Sequence, residues 1–280
     1  MDTKNSHIMK NEEFKDKVVL ITGSSRGIGK ATAVALSNLG ASLVINGRDK
    51  ERLIQVENLI KNSGGKVMSY CCDITNPDQV EKLIEETIKT YGKLDILINN
   101  AGVSMRGDFS DLNPEVFKSV FDINVLGTTN TTIKAIPFIK KSQGSIVFVS
   151  SVAGIRGLPS NSAYCASKMA LRAIAESIRI EEVKSNIHVG LIMVGITEIE
   201  KNKKTIGADG SLITLKDRSN FNVLSLDEIA YSIINNIKKR KFRTTLSLMG
   251  RINAFMQSIL PDLVERILVH SSNRIKARSL

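Results

Sequence analysis

Short apolar runs alternate along the chain with longer segments in which apolar residues recur at the 3.6-residue period of a helix. The apolar runs predict strands at residues 17–22, 42–46, 66–71, 94–98, 145–149 and 187–193. The periodic segments predict helices at residues 27–39 and 49–62, from residue 77, across 111–141 as two helices, and across 162–184. Strands that are almost continuously apolar and alternate with helices are typical of a parallel sheet covered on both faces. We therefore expect a doubly wound sheet in a three-layer α/β/α arrangement, with its ligand crevice at the carboxyl ends of the strands.

Capping residues indicate where two of the helices begin. Asn76 can cap a helix that has Pro77 at its first position, and Gln79 can complete a capping box there. Ser225 and Glu228 have the spacing of a second capping box, which opens a helix that runs to about residue 240.

The rhythm of strands and helices changes after residue 198. Residues 198–222 are polar and predict an insertion, and residues 243–248 are the candidate for a last edge strand. Because neither a repeat nor a linker separates these parts, we interpret residues 1–248 as a single domain and residues 249–280 as a C-terminal extension.

The C-terminal extension is amphipathic, with apolar residues at i, i+3, i+4 and i+7. This C-terminal stripe is interrupted by Pro261 and consists of Ile252, Phe255, Met256, Ile259, Leu260, Leu263, Val264, Ile267 and Leu268. Three interpretations remain open. The stripe packs on its own domain or a dimer partner, it lies on an anionic membrane, or it caps a hydrophobic substrate pocket.

The net charge of +11 is concentrated near the C-terminus, where residues 238–280 contain ten Lys and Arg against Asp262 and Glu265. Such a surface can attract nucleic acid, acidic lipid or an anionic substrate carrier, or it can be a solvated surface without a partner. Nucleic-acid binding is not expected, because no aromatic platform or recognised motif accompanies the charge.

Cysteine usage and apolar runs bear on the compartment. Cys71, Cys72 and Cys165 lack disulfide or metal-ligand spacing, so we expect reduced thiols and no metal site. Residues 1–17 contain no apolar core of a secretory signal, and no run approaches the ~20 apolar residues of a membrane span. These features predict a cytoplasmic protein that at most lies on a membrane surface.

The first predicted loop is rich in glycine and directly follows a strand. It reads Thr22-Gly23-Ser24-Ser25-Arg26-Gly27-Ile28-Gly29 and opens the first helix. Glycines permit a tight turn and a close approach of backbone to a pyrophosphate, which the amino terminus of a helix attracts. Gly23 alone is equally compatible with an ordinary turn, but the strand–turn–helix context predicts a dinucleotide cofactor.

The end of the second strand distinguishes between the two nicotinamide cofactors. It reads Asn46-Gly47-Arg48, with no acid to bind an adenosine ribose diol. Arg26 on the first loop supplies a second cation nearby. Either arginine alone is also typical of a solvated helix start, but two guanidiniums converging on a 2′-phosphate favour NADP(H).

Two further loops follow strands at the same edge of the sheet. Asp73 and Ile74 come after the third strand and are placed to meet an adenine edge, unless Asp73 is a local turn acid. Asn99-Asn100-Ala101-Gly102 follows the fourth strand and is a small-residue turn that lets cofactor and backbone approach each other.

The predicted proton chemistry follows the fifth strand, where Ser151 ends the strand and Tyr164 and Lys168 lie on the next helix. Tyr and Lys four residues apart share one helix face. A nearby ammonium and a positive nicotinamide lower the pKa of a phenol from its ordinary value of about 10. Tyr164 is thus expected to donate a proton to a carbonyl oxygen or accept one from an alcohol, with Ser151 bonded to the same oxygen. A YxxxK pair occurs on many exposed helices, and the upstream serine makes the assignment specific.

The sequence resembles the short-chain dehydrogenase/reductase family over about residues 14–248, through TGSSRGIG, NNAG, Ser151, Tyr164 and Lys168. The resemblance implies a Rossmann-type fold and an NADP(H)-dependent oxidoreductase that interconverts a carbonyl and a secondary alcohol. It makes Asn124, in FDINVLG, the fourth catalytic residue, expected to hold a water that links Lys168 to solvent. It also implies a homodimer or homotetramer, packed through the helices that bear Asn124 and Tyr164.

One motif departs from the family pattern. Where the family has Pro-Gly and a threonine four residues beyond the glycine, this chain has Val194-Gly195, with Ile199 in the threonine position and Thr197 nearby. The insertion that follows corresponds to the substrate lid of the family. The full predicted cofactor-binding set is Gly23, Ser24, Ser25, Arg26, Gly27, Ile28, Gly29, Asn46, Arg48, Asp73, Ile74, Asn100, Ala101, Gly102, Tyr164, Lys168, Gly195 and Thr197.

The substrate is left open by the sequence. A hydrophobic lipid or steroid-like alcohol or ketone suits the C-terminal stripe, and members resembling 11-beta-hydroxysteroid dehydrogenases also carry amphipathic C-terminal helices. A 3-oxoacyl thioester on an acidic carrier suits the positive surface. Outside the enzymes, the alternative is a regulatory protein that binds NADP(H) without turnover, which the intact catalytic residues disfavour.

Overall fold

The computed structural model describes residues 13–200, 203–215 and 223–279, with side chains as far as residue 271. In chain order the strands of these residues are β1 (Val18–Ile21), β2 (Ser42–Gly47), β3 (Lys66–Cys71), β4 (Ile96–Asn99), β5 (Met105–Arg106), β6 (Ser145–Ser151), β7 (His188–Val194), β8 (Lys204–Gly207), β9 (Leu212–Thr214) and β10 (Arg243–Thr245). Seven of these strands form the main sheet, in the order β3-β2-β1-β4-β6-β7-β10. All its neighbours pair in parallel. We expected no apolar core of a secretory signal in residues 1–17, and residues 1–12 of that segment lie outside the described residues.

Helices cover both faces of the main sheet. Across the described residues they are α1 (Gly27–Asn38), α2 (Lys50–Asn62), α3 (Pro77–Tyr91), α4 (Pro114–Phe121), α5 (Gly127–Ser142), α6 (Ser162–Glu181), α7 (Leu226–Lys238), α8 (Leu248–Ile259) and α9 (Pro261–Ser279). One apolar core lies between the sheet and α1, α2 and α7, and a second lies between the sheet and α3, α5 and α6. The predicted three-layer, doubly wound fold is confirmed.

The two cores explain why the strands lack the alternation of a half-exposed sheet. In β1, Val19 and Ile21 belong to the core beneath α1, whereas Val18 and Leu20 belong to the core on the other face. Successive side chains of a strand point to opposite faces, so burial on both faces requires an unbroken apolar run.

The capping predictions are confirmed for Asn76 at α3 and for the Ser225–Glu228 box at α7, and they are wrong for Gln79. Asn76 accepts hydrogen bonds from the second and third residues of α3, and Ser225 and Glu228 form a reciprocal capping box at α7. Gln79 does not complete a box with Asn76. Its side-chain oxygen instead accepts from the main-chain amide of Asp73 at 2.9 Å, because the preceding loop brings that donor within reach.

The polar insertion contains structure that its sequence did not predict. Within it, β8 and β9 form an antiparallel hairpin, and β8 pairs in parallel with β5 to make a separate three-stranded sheet. The last edge strand is shorter than expected. It ends at Thr245 because Ser247 caps α8 by accepting from the amide of Gly250.

The C-terminal extension folds as two helices, and Pro261, which interrupts the C-terminal stripe, begins the second. Among the side chains of the C-terminal stripe, all of which the structure describes, Val264 alone is buried. Phe255, Ile259 and Ile267 are each more than half exposed. In the part of the chain that the structure describes, no helix has both the length and the apolar character needed to cross a bilayer.

Candidate active site

One threonine side chain joins the carboxyl ends of β1 and β4. The Thr22 hydroxyl accepts hydrogen bonds from the main-chain amides of Asn100 and Ala101, both at 3.1 Å. The side-chain amide of Asn100 donates in turn to the carbonyl oxygens of Thr22 at 3.0 Å and Gly23 at 2.9 Å. The glycine-rich loop and the NNAG loop are separate motifs in the sequence, but these hydrogen bonds join them into one unit.

Two glycines allow these loops to touch. Gly23 has a φ of +63°, and a Cβ there would lie 2.7 Å from the Cα of Ala101. A Cβ at Gly29 would lie 2.4 Å from the carbonyl oxygen of Gly23. Since real Cβ atoms do not approach main-chain atoms this closely, only glycine fits at either position.

The amino terminus of α1 faces open space. The helix begins at Gly27 without a side-chain cap and without an acidic residue in its first turn, whereas Asp49, Asn76 and Ser225 cap α2, α3 and α7. A Cβ at Gly27 would meet no atom within 4 Å. The amides of the first turn and the positive end of the helix dipole are thus available to an anion, which suits the pyrophosphate of a dinucleotide.

The two arginines of the predicted adenosine end are exposed, and Arg48 contacts an acid. Its guanidinium lies 3.6 Å from the carboxylate of Asp73. Asp73 also accepts hydrogen bonds from the amide and the hydroxyl of Thr75, each at 2.9 Å. Burial raises the pKa of Asp73, but the bonds from Thr75 and the charge of Arg48 outweigh it and hold the pKa below its usual value. A pocket of about 240 Å³ lies here, between these residues and α4.

Asn46 does not face this pocket. Its side chain is 1% exposed and donates to the carbonyl oxygens of Tyr70 at 3.2 Å and Cys72 at 3.3 Å. Its main-chain amide donates to the Ser24 hydroxyl at 2.9 Å. Asn46 therefore ties β2 to β3 and to the glycine-rich loop.

Three other residues of the predicted cofactor set are partly or fully buried, namely Ser25, Ile28 and Ile74. A Cβ at Gly47 would lie 3.3 Å from the Ser25 hydroxyl oxygen, and Ile28 packs against the core beneath α1. Ile74 is 5% exposed and lies against Gly127 at the start of α5. The side chains of Ile28 and Ile74 therefore pack within the protein.

Lys168 and Tyr164 lie one turn apart on α6, beside the end of β6. The Lys168 side chain is 5% exposed, and its Nζ donates to the carbonyl oxygen of Val149 at 3.0 Å. The same Nζ lies 5.8 Å from the centroid of the Tyr164 ring. Burial lowers the pKa of Lys168 to about 8, because the charged form loses its hydration.

Asn124 lies in a π-helical turn, Asp122–Leu126, that joins α4 to α5, and it is fully buried. Its Oδ1 accepts from the amide of Val103 at 2.8 Å, and its Nδ2 donates to the carbonyl oxygen of Val103 and to the hydroxyl of Ser167, both at 2.9 Å. A Cβ at Gly102 would lie 3.1 Å from Oδ1 of Asn124 and 3.4 Å from Nζ of Lys168. Gly102 therefore lies beside both Asn124 and Lys168.

Ser151 ends β6 at the same edge of the sheet. Its hydroxyl donates to the carbonyl oxygen of Val194 at 3.3 Å and accepts from the amide of Ala153 at 3.2 Å. The bond to Val194 is long, so the hydroxyl can exchange it for another acceptor at small cost.

Gly195 and Thr197 follow β7. A Cβ at Gly195 would lie 3.1 Å from the Ser247 hydroxyl oxygen, so this turn packs closely on the start of α8. Thr197 pairs with Leu224 through an isolated strand bridge. The turn is thus held by the segment before α7, although it lacks the proline of the family pattern.

Sequence reasoning missed three hydroxyl residues of the site region: Thr22, Ser167 and Thr205. Thr22 directly follows an apolar strand. A polar residue at the end of a buried run was the signal in the sequence that could have indicated its hydrogen-bonding role. Ser167 lies next to Lys168, and its hydrogen bond with Asn124 joins residues that are far apart in the sequence. Thr205 lies in the insertion, where no pattern indicated a strand.

The described side chains can therefore move a proton at this edge of the sheet. A tyrosine, a lysine with a lowered pKa, a serine and a buried asparagine are gathered around Gly102 and the end of β6. Within the described ranges, no group of three or more His, Cys, Asp and Glu side chains is arranged to hold a metal ion.

Comparison with known proteins agrees with this geometry. The family model described as short chain dehydrogenase matches residues 17–209. The chain is 32% identical over 263 residues to the Arabidopsis thaliana protein named 11-beta-hydroxysteroid dehydrogenase 1A, covering 91% of this chain and 75% of the relative. It is 30% identical over 275 residues to dehydrogenase/reductase SDR family member 7B of Danio rerio, covering 95% and 89%.

Solved structures show the same fold. A short chain dehydrogenase/reductase from Burkholderia phymatum, in complex with NAD, superposes with a TM-score of 0.78 at 22% identity, covering 90% of this chain and 96% of that chain. An alcohol dehydrogenase from Thermococcus sibiricus, complexed with 5-hydroxy-NADP, superposes with a TM-score of 0.72 at 25% identity, covering 82% and 95%. The chain belongs to the short chain dehydrogenase family and is an oxidoreductase that acts on CH–OH groups with a nicotinamide cofactor.

Proposed function

We propose that the protein interconverts a carbonyl and a secondary alcohol on a hydrophobic, lipid or steroid-like substrate, with NADP(H) as cofactor. The nicotinamide ring supplies or accepts the hydride. Tyr164 donates the proton to the carbonyl oxygen in reduction and accepts it in oxidation. Ser151 hydrogen-bonds the same oxygen.

The observation that carries this proposal is the position of Lys168, which lies beside Gly102 as Asn124 does and faces the ring of Tyr164. The Lys168 ammonium faces the Tyr164 ring at 5.8 Å and favours negative charge that develops on the phenolic oxygen during proton transfer. With its pKa lowered to about 8, Lys168 is also able to exchange protons near neutral pH. Asn124 keeps Val103, and with it the Gly102 backbone, in place below these groups.

The choice of NADP(H) rests on Arg26 and Arg48. Both are exposed at the rim of the adenosine end, and no carboxylate follows β2 directly. Asp73 is held beside Arg48 by Thr75, so it orients the guanidinium while leaving most of its surface open to a 2′-phosphate. Arg26 at the start of α1 adds a second positive charge next to the first-turn amides.

We also propose a homo-oligomer that packs through the helices bearing Asn124 and Tyr164. Exposed apolar side chains occur on or next to α5 and α6 at Leu126, Ile133, Met169, Ile180 and Val183, each between 44% and 74% exposed. An unpaired surface of this kind is typical of a subunit interface. The change Ile133→Glu, checked by light scattering after size exclusion, is expected to lower the molecular mass of the particle.

The C-terminal stripe supports a peripheral membrane contact for a cytoplasmic protein. Six of its nine apolar side chains are exposed, and Arg251 and Arg266 are exposed beside them. An amphipathic, basic helix pair can bury the apolar face in an anionic lipid surface and keep the arginines at the headgroups. A hydrophobic substrate would then reach the enzyme from the lipid.

A 3-oxoacyl thioester is the alternative substrate, and one pocket favours it. A pocket of about 420 Å³ between α6, β10 and α8 is lined by Arg172, Arg243 and Arg251 together with Phe255. Such a pocket suits the anionic carrier of an acyl chain. Activity that falls steeply with added salt would support this alternative, because screening weakens docking by charge.

The proposal is tested with a panel of hydrophobic ketones, alcohols and 3-oxoacyl thioesters, with NADPH and NADH absorbance followed in parallel. We expect turnover with NADPH on a hydrophobic carbonyl, and Tyr164→Phe should reduce kcat by about 10²-fold or more while NADPH still binds. Full turnover of Tyr164→Phe would contradict the assigned proton donor. NADPH binding by the wild type without turnover on any member of the panel would favour the regulatory alternative.

A further inference from the structure

The small sheet attaches the insertion to the centre of the site. β8 pairs with β5 so that Met105 lies opposite Ile206 and Arg106 lies opposite Gly207. β5 begins three residues after Gly102, which lies beside Asn124 and Lys168. The chain that follows β7 is therefore joined by strand pairing to the chain that follows β4.

Two hydroxyl side chains fasten this pairing. The Ser104 and Thr205 hydroxyl oxygens lie 2.8 Å apart. The Thr205 hydroxyl also lies 2.7 Å from the main-chain carbonyl oxygen of Ser104, to which it donates. Since Thr205 is 5% exposed, water does not readily replace these bonds when they are lost.

The residue next to Ser104 is fixed from the other side. Val103 is bonded through both its amide and its carbonyl oxygen to the side chain of Asn124. Asn124 is bonded in turn to Ser167 on α6, the helix that carries Tyr164. An unbroken path of short contacts thus leads from Thr205 to the helix of the proton donor.

Apolar contacts follow the same route. Ile206 and Tyr164 both pack against a small cluster of buried side chains that includes Met105 and Val116. The cluster is separate from the two main cores of the protein. The position of β8 therefore decides where the Ile206 side chain lies relative to Tyr164.

We propose that Thr205 is a positioning residue of the substrate site, which holds β8 on Ser104 and so fixes Ile206 as a wall beside Tyr164 before substrate binds. The inference rests on the proposed function, in which Tyr164 is the proton donor. A preformed wall lowers the ordering cost of binding and favours substrates whose apolar body fits against it. It also keeps the reacting oxygen aligned with the phenol.

The test compares Thr205→Val, which keeps the shape but loses the hydroxyl, with Thr205→Ser, which keeps the hydroxyl. Thr214→Val is the matched control, because Thr214 lies in the same small sheet opposite Lys204 and is exposed. We expect Thr205→Val to raise the substrate KM about tenfold, with a smaller change in kcat and an unchanged KM for NADPH. Thr205→Ser and Thr214→Val should behave as the wild type does.

A second readout does not depend on turnover. Trypsin cleavage after Lys204, inside β8, should become about tenfold faster in Thr205→Val and remain at the wild-type rate in Thr205→Ser. Ser104→Ala should show a smaller effect in the same direction, because the bond from Thr205 to the Ser104 carbonyl remains. Equal melting temperatures would show that the changes are local. If Thr205→Val proves unstable, Ser104→Ala decides the question.

The outcomes separate this inference from the proposed function. Wild-type KM and wild-type cleavage in both Thr205→Val and Ser104→Ala would overturn the positioning role, even with an active enzyme. A wild type that turns over no substrate would remove the proposed function, and the cleavage rates would still show whether Thr205 holds β8.

Discussion

The buried ammonium of Lys168 donates a hydrogen bond to the carbonyl oxygen of Val149, at a distance of 3.0 Å. This contact places a charge in the interior, beside the last residues of β6, with the Tyr164 ring above it. A charged group in this position lowers the stability of the folded state. Such a cost is typical of a residue that is kept for catalysis.

Lys168→Met should therefore abolish turnover and still raise the free energy of unfolding at neutral pH, by about 2 kcal/mol. Burial moves the pKa of Lys168 from 10.5 to about 8, which corresponds to a cost of up to about 3 kcal/mol for the charged form. Loss of the hydrogen bond to Val149 reduces this gain in the free energy of unfolding by about 1 kcal/mol. Urea unfolding of both proteins without cofactor measures the difference.

The pH dependence of this difference has a definite sign. Below pH 8 the folded and unfolded wild type both carry the charge, so its full cost is present. Between pH 8 and 10.5 the folded chain has released the proton while the unfolded chain keeps it, and the stability of the wild type rises. The gap between Lys168→Met and the wild type should therefore narrow as the pH approaches 10, and a gap that stays constant would contradict the assignment of the charge.

Arg26→Ala and Arg48→Ala should each raise the Kd for NADPH by about tenfold or more, and leave the Kd for NADH nearly unchanged. Each guanidinium is expected to contribute charge-assisted hydrogen bonds to the 2′-phosphate, which NADH lacks. Lys66→Ala is the control, since Lys66 is exposed at the start of β3, at the opposite end of the sheet. Cofactor titration by fluorescence measures the Kd of each protein for NADPH and for NADH, and equal losses for the two cofactors would contradict the NADP(H) assignment.

Gly23→Ala should destabilise the protein by about 3 kcal/mol or more and abolish cofactor binding. Its φ of +63° strains any other residue, and the added Cβ would lie 2.7 Å from the Cα of Ala101. Gly92→Ala separates the two effects, because Gly92 has a φ of +75° but nothing within 4 Å of its Cβ position. Strain alone predicts a loss of about 1 kcal/mol there with normal binding. Thermal unfolding and NADPH titration compare the two variants.

Replacing Phe255 and Ile259 by Glu should prevent binding to lipid vesicles without reducing turnover on a water-soluble substrate. Both side chains are more than half exposed on one face of α8. Tyr231→Glu on α7 is the control, since Tyr231 is 70% exposed outside the C-terminal stripe. Sedimentation with vesicles of phosphatidylcholine and phosphatidylglycerol, against phosphatidylcholine alone, measures the contact. Equal sedimentation of the wild type and the double variant would contradict the membrane role of the stripe.

The main sheet was predictable because its central strands are buried on both faces, so their apolar runs are unbroken, as in β1 and β6. The small sheet was not predictable in this way. β5 has two residues, and its partner β8 lies about one hundred residues further along the chain. Spacing also misassigned Gln79, because the amide of Asp73 competes for its side chain. Local patterns do not contain such long-range competitors.

In the candidate site, too, the sequence predicted what local elements position and did not predict the long-range contacts. Ser151, Tyr164 and Lys168 are positioned by one strand and one helix, so their spacing along the sequence carries most of the information. The contacts of Asn124 with Val103 and Ser167 join three separate segments. Their existence depends on the packing of α4 and the π-helical turn against α6 rather than on any local pattern. The role of each residue in catalysis stays a prediction for the variants above.

The π-helical turn at Asp122–Leu126 has a consequence for how the chain tolerates insertions and deletions. A π-helical turn holds one residue more than regular α-helix at the same place. Deleting one residue within it would let α4 and α5 join as a regular helix, and would rotate one relative to the other by about 100°. Either Asn124 would then turn away from Val103, or α4 would lose its apolar face against Met105. This single surplus residue thus makes the length of the segment as strict a requirement as its chemistry.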